Sequence, residues 1–283
     1  MKKLSLVLFA IAITAMLGSN VSAGTFMSDT FSYADGDLTV FDGTGANVSG
    51  GAWVPHSGTN FPIPIAVSGG QAVLAQGNPA SEDANRKATA GGSRAIALGE
   101  TWYYAALVTV NDTRTDPNLS LDQDSYFMHF KDAGSGFRGR AYLDDPSTGV
   151  GGAGFSFGLS ATSGGIVSNT GDLNFGQQYK IVVSYAVDTG TSDLWVDPVD
   201  SSSPKITDTN SAGAFTLIDS LAMRQDFVSA GNTATVLVDS VALGNDFDSV
   251  LLNAMNGSNI PEPGSLALAL LAFVGFAGSR RSL

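Results

Sequence analysis

The chain of 283 residues has no cysteine, and little glutamate, histidine or basic charge. Without cysteine there is no disulfide, no thiol nucleophile and no thiolate metal site. Glutamate occurs only at Glu82, Glu100 and Glu262, so a glycosidase built on paired carboxylates would have to draw on aspartates. Histidine occurs only at His56 and His129, which leaves no H-E-x-x-H motif and no His-rich metal site. The 14 lysines and arginines stand against 26 acidic residues, a net charge of −12. That balance argues against nucleic acid as a partner, because phosphate binding needs clustered Lys and Arg. What is abundant is aspartate, 23 of the 26 acids, together with 34 glycines. Aspartate and glycine favour turns where glutamate favours helix, so the composition points to a loop-rich β protein.

Both ends read as addresses. Lys2 and Lys3 precede an apolar run over 4–17, and Val21, Ser22 and Ala23 put small residues before a cleavage point between Ala23 and Gly24. This is the pattern of a secretory signal peptide, removed by signal peptidase. The run is shorter than the roughly 20 residues of a membrane span. At the other end, Pro261-Glu262-Pro263 precedes an apolar segment over 266–277 that Arg280 and Arg281 close. Pro263 suits a helix start. The segment reads as a short transmembrane helix of about 22 Å, less than a hydrocarbon core of roughly 30 Å. The arginine pair would lie on the cytoplasmic side.

The tripeptide, the short apolar helix and the terminal arginines, in that order, resemble the PEP-CTERM sorting signal of Gram-negative bacteria. The resemblance implies recognition and cleavage by a membrane-embedded exosortase. It also implies a transient hold in the inner membrane and delivery to the cell surface or an extracellular polysaccharide matrix. A plain C-terminal anchor is the alternative. The expected organisation is a signal peptide over 1–23, a body over 24–260 and a sorting tail over 261–283. The body is more acidic than the whole chain, because Lys2, Lys3, Arg280 and Arg281 belong to the ends.

Within the body no segment shows a clear 3.6-residue period. Short runs of β-branched and aromatic residues recur between Gly, Asp, Asn and Ser clusters, with candidate strands over 61–68, 71–75, 101–110, 125–131, 137–143, 154–160, 179–188, 192–197, 215–224 and 235–243. In 125–131, Tyr126, Met128 and Phe130 alternate with Phe127 and His129, as in a strand with one buried face. Many strands and no helices imply two sheets packed face to face. The expected fold is all-β, an antiparallel two-sheet sandwich. Residues 179–185, 188–193 and 194–198 read as strand, polar turn and strand. Val236 to Gly244 reads as a closing strand. These stretches, with the opening Asp29, Phe31, Tyr33, Gly36 and Leu38, resemble LamG-like, concanavalin A-like jelly-roll domains. That resemblance implies a closing strand that returns beside the first.

Relatives of that kind often bind Ca²⁺ through Asp and Asn oxygens, with sugar beside it. Candidate ligands are Asp122 with Asp124 and Asp144 with Asp145. Asp35, Asp37 and Asp42 form a third candidate group; turn formation is the alternative for all three groups, and a partial EF-hand-like match over 208–219 is a chance one, since Ala212 stands at a ligand position and no helices flank it. Trp53, Trp102 and His129 are the candidate sugar-contacting residues. Gly154 to Gly158 matches G-x-S-x-G, but both histidines precede it and alternation marks it as a strand. Jelly-roll polysaccharide lyases often use His, Tyr and Arg, and Tyr126, His129, Arg138 and Arg140 lie on neighbouring candidate strands. The expectation from sequence is a non-enzymatic, surface- or matrix-sorted protein with a structural or adhesive role. A Ca²⁺-supported carbohydrate-binding module and a glycan hydrolase or lyase are the alternatives.

Overall fold

The computed structural model describes residues 24–39, 47–57, 63–76, 81–89, 94–97, 99–116, 118–121, 126–162, 165–209, 217–225 and 233–256. All of them fall in one compact unit, Gly24–Gly257. The signal-peptide segment, the sorting tail, Asp42, Asp122 and Asp124 lie outside the described residues. The strands are β1 (Thr25–Asp29), β2 (Gly36–Asp37), β3 (Val54–Ser57), β4 (Ala66–Ser68), β5 (Gln71–Ala75) and β6 (Asp83–Lys87). They continue with β7 (Arg94–Ala95), β8 (Thr101–Asp112), β9 (Tyr126–Lys131), β10 (Phe137–Asp144), β11 (Ser156–Ser160) and β12 (Ser168–Asn169). The rest are β13 (Gln178–Ala186), β14 (Ser192–Val196), β15 (Lys205–Asp208), β16 (Leu217–Ile218), β17 (Ser220–Met223) and β18 (Ala234–Gly244). One helix follows, α1 (Phe247–Asn256).

The strands form two large antiparallel sheets. The nine-stranded sheet runs β15-β14-β13-β8-β18-β5-β4-β2, with β1 also paired to β18; the seven-stranded sheet runs β12-β11-β10-β9-β17-β6-β3. This is the expected jelly-roll sandwich. The closing strand does return beside the first, with Met27 opposite Leu243 and Asp29 opposite Val241. The hairpin over β13 and β14 forms with Val182 opposite Trp195. The core lies between the sheets. From β8 come Tyr104, Ala106, Val108 and Val110, from β13 Ile181, Val183 and Tyr185, and from the facing sheet Phe130, Leu143, Phe157, Leu159, Leu221 and Met223. Period-2 alternation is why every second residue of these strands joins the core.

The sequence reading found no helix in the body, and α1 corrects it. Phe247, Val250, Leu251 and Ala254 fall at i, i+3, i+4 and i+7, and they pack on the outer face of the nine-stranded sheet against Ala105, Val182, Trp195 and Ala242. The stripe has only ten residues and no basic last turn, so it is weak beside the strand pattern before it. Asp246 caps the helix, its Oδ1 accepting the Ser249 N–H at 2.9 Å. The outer faces of β8, β13 and β18 are therefore covered as well as their inner ones. That is why these strands read as nearly continuous apolar runs.

One carboxylate joins the two sheets. Asp29 Oδ1 accepts the Phe31 N–H at 2.8 Å, and Oδ2 accepts Tyr33 Oη–H at 2.7 Å and Trp53 Nε1–H at 2.8 Å. Arg86 of β6, in the opposite sheet, completes the set with a salt bridge. Phe31 has φ +48°, a backbone conformation held by this bonding. The Asp29, Phe31 and Tyr33 spacing that resembles the family's opening is thus the spacing of a buried clamp. Replacing Asp29 by Asn removes the charge from Arg86 and gives Oδ2's donors a competing N–H group. We expect Asp29→Asn to lower unfolding free energy by about 3–5 kcal/mol, measured by urea denaturation.

Candidate functional site

The outer face of the seven-stranded sheet carries the candidate site, and two bulges shape it. Between β9 and β10 the register shifts twice: Arg138 is opposite Phe130, Ala141 opposite Met128 and Tyr142 opposite Tyr126. One extra residue enters β10 at Gly139–Arg140 and one enters β9 next to Phe127. Gly139 sits at φ +54°, and a Cβ there would lie 2.9 Å from Phe130, so glycine permits this bulge. The simple alternation expected for 125–131 is corrected accordingly. Phe127 joins Met128 and Phe130 in the core, while Tyr126 turns to the outer face with His129.

The outer side is polar and aromatic. The His129 ring centroid lies 4.4 Å from Phe137, 5.1 Å from Tyr126 and 6.0 Å from His56. His56 arrives from β3 at the sheet edge. The Arg140 and Arg224 guanidinium carbons lie 4.4 and 4.2 Å from the centroid of the Tyr126 ring, within cation–π range. Arg224 Nε is 3.8 Å from Asp83 Oδ2, and Asp83 also accepts the Gln225 N–H at 3.0 Å and the Ser57 hydroxyl. Lys131 Nζ donates to the carbonyls of Asp132 at 3.0 Å and Gly134 at 2.7 Å. His56, Ser57, Asp83, Tyr126, Lys131, Phe137, Arg224 and the loop Ala133, Gly134 and Ser135 line a hollow of about 480 Å³. His129 is 0% exposed, and among the described residues neither ring nitrogen has a hydrogen-bond partner. The same holds for His56 Nε2, Arg140 Nε and Ser220 Oγ. A group of unsatisfied buried polar atoms on one sheet face is uncommon and calls for a cause.

Burial dominates the electrostatics at the site; it lowers the pKa of the Lys131 ammonium, a shift that Asp219 and Asp132 oppose. Burial, then Lys131 and Arg224, push the His56 imidazole down to about 4. Burial holds His129 well below its usual range, and His56, Arg140, Arg224 and Lys131 add to the effect. Both rings are neutral at pH 7.

The other candidates fall elsewhere. Trp53 and Trp102 are both 0% exposed and lie in the core. Trp102 packs 4.9 Å from Phe26, so neither indole is a sugar platform, a correction that follows from their position between the sheets. Gly24 is buried, and its carbonyl accepts the Asn245 N–H at 2.9 Å. Asp144 and Asp145 line a second hollow of about 530 Å³ with Asn169 and Asp172. Their oxygens take donors from the chain itself, Asn169 and the Asp145 N–H for Asp144, and Ser120 and the Leu121 N–H for Asp145. Among the described residues no cluster of three or more His, Asp or Glu could hold a metal ion. The G-x-S-x-G match runs into strand β11, which begins at its Ser156. His56 and Arg224 lie far from His129 in sequence, and the strand order β9-β17-β6-β3 brings them together.

Residues 259–281 match the family model described as the PEP-CTERM protein-sorting motif. The chain carries a PEP-CTERM sorting motif. This motif implies export and processing by an exosortase, a membrane enzyme. Among the described residues no helix is long and apolar enough to cross a membrane. No curated protein matches the chain. Solved structures similar to the chain include a Trypanosoma rangeli sialidase, at 14% identity and TM-score 0.43 over 70% of this chain and 30% of that one. Alginate lyase Aly36B is similar at 12% identity and TM-score 0.40, over 63% and 82%. The Emp47p carbohydrate recognition domain is similar at 12% identity and TM-score 0.43, over 81% and 100%. The chain therefore spans about a third of the sialidase.

The neutral histidines make stability depend on pH. Their folded pKa values lie below the unfolded value of about 6.5, so their contribution is present above pH 6.5 and is lost as pH falls toward 4. For His56 the loss is on the order of 3 kcal/mol. We expect urea midpoints to fall between pH 7.5 and pH 4.5, and to fall less in His56→Phe and His129→Phe.

Proposed function

We propose that this protein is exported and sorted to the cell surface or extracellular polysaccharide matrix, where its sandwich binds carbohydrate in a structural or adhesive role. The observation that carries the reading is the conjunction of the PEP-CTERM motif with the aromatic and cation-lined hollow on the outer sheet face. A sugar ring offers an apolar face to Tyr126 and Phe137 and hydroxyls to His56, Ser57 and Lys131, which line the hollow with them. Pockets that bind small ligands combine such walls with a few convergent polar groups. In this reading the protein is not an enzyme, and Ca²⁺ support at Asp144 and Asp145 is a weaker alternative, since chain donors already occupy those oxygens.

A second reading, glycan cleavage by a lyase, is favoured by one specific observation. Neutral His129 packs against Tyr126 with Arg140 and Arg224 beside it, groups able to move a proton and stabilise an anion.

Two outcomes follow. Deleting residues 261–283 should abolish surface or matrix delivery and move the protein to another fraction in cell fractionation; unchanged display would refute the sorting role. The detergent-solubilised full chain should retain glycans from an immobilised panel without shortening them. Shortened products, detected by chromatography, would favour the lyase reading, and an empty panel would refute the carbohydrate reading.

A further inference from the structure

We propose that the exposed stripe of α1 is the part of the body that lies on a lipid bilayer while the sorting tail holds the chain at the membrane, with Leu252 and Met255 entering the headgroup layer. The proposal goes beyond the carbohydrate reading and rests on the membrane-associated sorting that the PEP-CTERM motif implies.

The body is entered and left at one place. Gly24, the first residue after the signal-peptide segment, lies against the first turn of α1: a Cβ on it would stand 2.6 Å from Ser249 Oγ and 2.7 Å from Asp246 Cβ. Its carbonyl accepts the Asn245 N–H just before the helix. Next along, Thr25 Oγ1 accepts Asn253 Nδ2–H at 2.7 Å, toward the other end of the helix. α1 itself stops at Asn256, and the matched sorting motif begins at 259. Both segments of the chain that read as addresses therefore join the body at α1. Residues 257–265 separate the helix from the apolar run over 266–277, and a flexible chain of that length spans about 17 Å. A tether that short gives α1 an effective concentration on the order of millimolar at the bilayer, so a contact too weak to hold a free protein is still populated.

The face is suited to lipid. Phe247, Val250, Leu251 and Ala254 turn one side of α1 to the sheet, which leaves Asp248, Leu252 and Met255, at i, i+4 and i+7, as an exposed stripe. Leu252 is 58% exposed and Met255 46%. The stripe is graded, with its acid in the first turn and its apolar pair toward the end of the helix, where the chain continues into the sorting tail. The last turn carries no basic residue and the body is acidic, so attraction to anionic headgroups is not the source of the contact. Burial of Leu252 and Met255 is. α1 is already folded against the nine-stranded sheet, so little ordering has to be paid for when the stripe meets the bilayer.

The absence of cysteine lets a single label report on one site. The full chain bearing Met255→Cys, labelled with a fluorophore, is reconstituted into phosphatidylcholine vesicles in which part of the lipid carries a nitroxide quencher. Val167→Cys is the reference, because Val167 is 52% exposed and belongs to the other sheet, where its N–H bonds the Leu159 carbonyl at 3.0 Å. We expect the nitroxide lipid to quench the label at 255 about threefold more than the label at 167, with no loss in added salt, and Leu252→Asp to remove most of that difference. Leu252→Cys serves as the second labelled position should Met255→Cys fail to fold. Equal quenching at the two positions in vesicle-bound protein, quenching that salt abolishes, or quenching that Leu252→Asp leaves unchanged overturns this inference alone. A label at 255 that is shielded from aqueous iodide yet not quenched by lipid means that a second copy of the chain covers the stripe, and it too overturns the inference. A chain that the vesicles do not retain overturns it together with the membrane hold on which it rests.

Discussion

The sandwich depends on a buried carboxylate that two sheets share. Asp29 leaves the end of β1, in the nine-stranded sheet, and receives Arg86 from β6 in the seven-stranded one. Tyr33 and Trp53 fill its remaining lone pairs. A cysteine-free exported protein has no covalent staple between its layers, so the layers must be set by packing and by polar contacts of this kind. The clamp fixes one edge of the sandwich, and the large apolar interior between Tyr104, Phe130, Phe157 and Leu221 supplies most of the stabilisation.

With the layers set, the two outer faces diverge. The nine-stranded sheet is closed by α1, whose Phe247, Val250 and Leu251 cover Ala105, Val182 and Trp195. Ser240 adds a hydrogen bond to the Ala254 carbonyl, which ties the last turn of the helix to β18. That face is apolar and occupied. The seven-stranded sheet instead turns His129, Ala222, Asn85 and Ser220 outward, and its bulges at Gly139 and Phe127 bring Arg140 and Tyr126 to the same side. The outer face of one sheet is covered by the helix, while that of the other carries the polar and aromatic hollow.

Much of the frame was legible in one dimension. The 179–198 hairpin, the 235–243 closing strand and the long 101–110 strand all appear where their residues alternate, because two-residue periodicity with β-branched side chains leaves little choice. The helix at 247–256 was missed although its i, i+3, i+4 stripe is present, since four apolar positions in ten residues carry little signal beside a β-rich chain. Trp53 and Trp102 look like ligand contacts in the sequence and are buried in the core, because nothing in a sequence tells a buried indole from an exposed one. Tyr126 and His129 were placed on opposite faces, and an inserted bulge residue reversed that.

The sequence by itself determined the address and the class. Signals read by other proteins are linear, so Pro261-Glu262-Pro263, the apolar segment and the arginine pair carry their meaning without a fold, and the scarcity of glutamate with abundant aspartate and glycine points the body to β-structure. The tertiary structure alone decided the site. His56, His129, Arg140 and Arg224 come from four separated stretches, and their meeting depends on strand order and on two one-residue bulges. Those are properties of pairing between distant segments, which no local pattern of residues specifies.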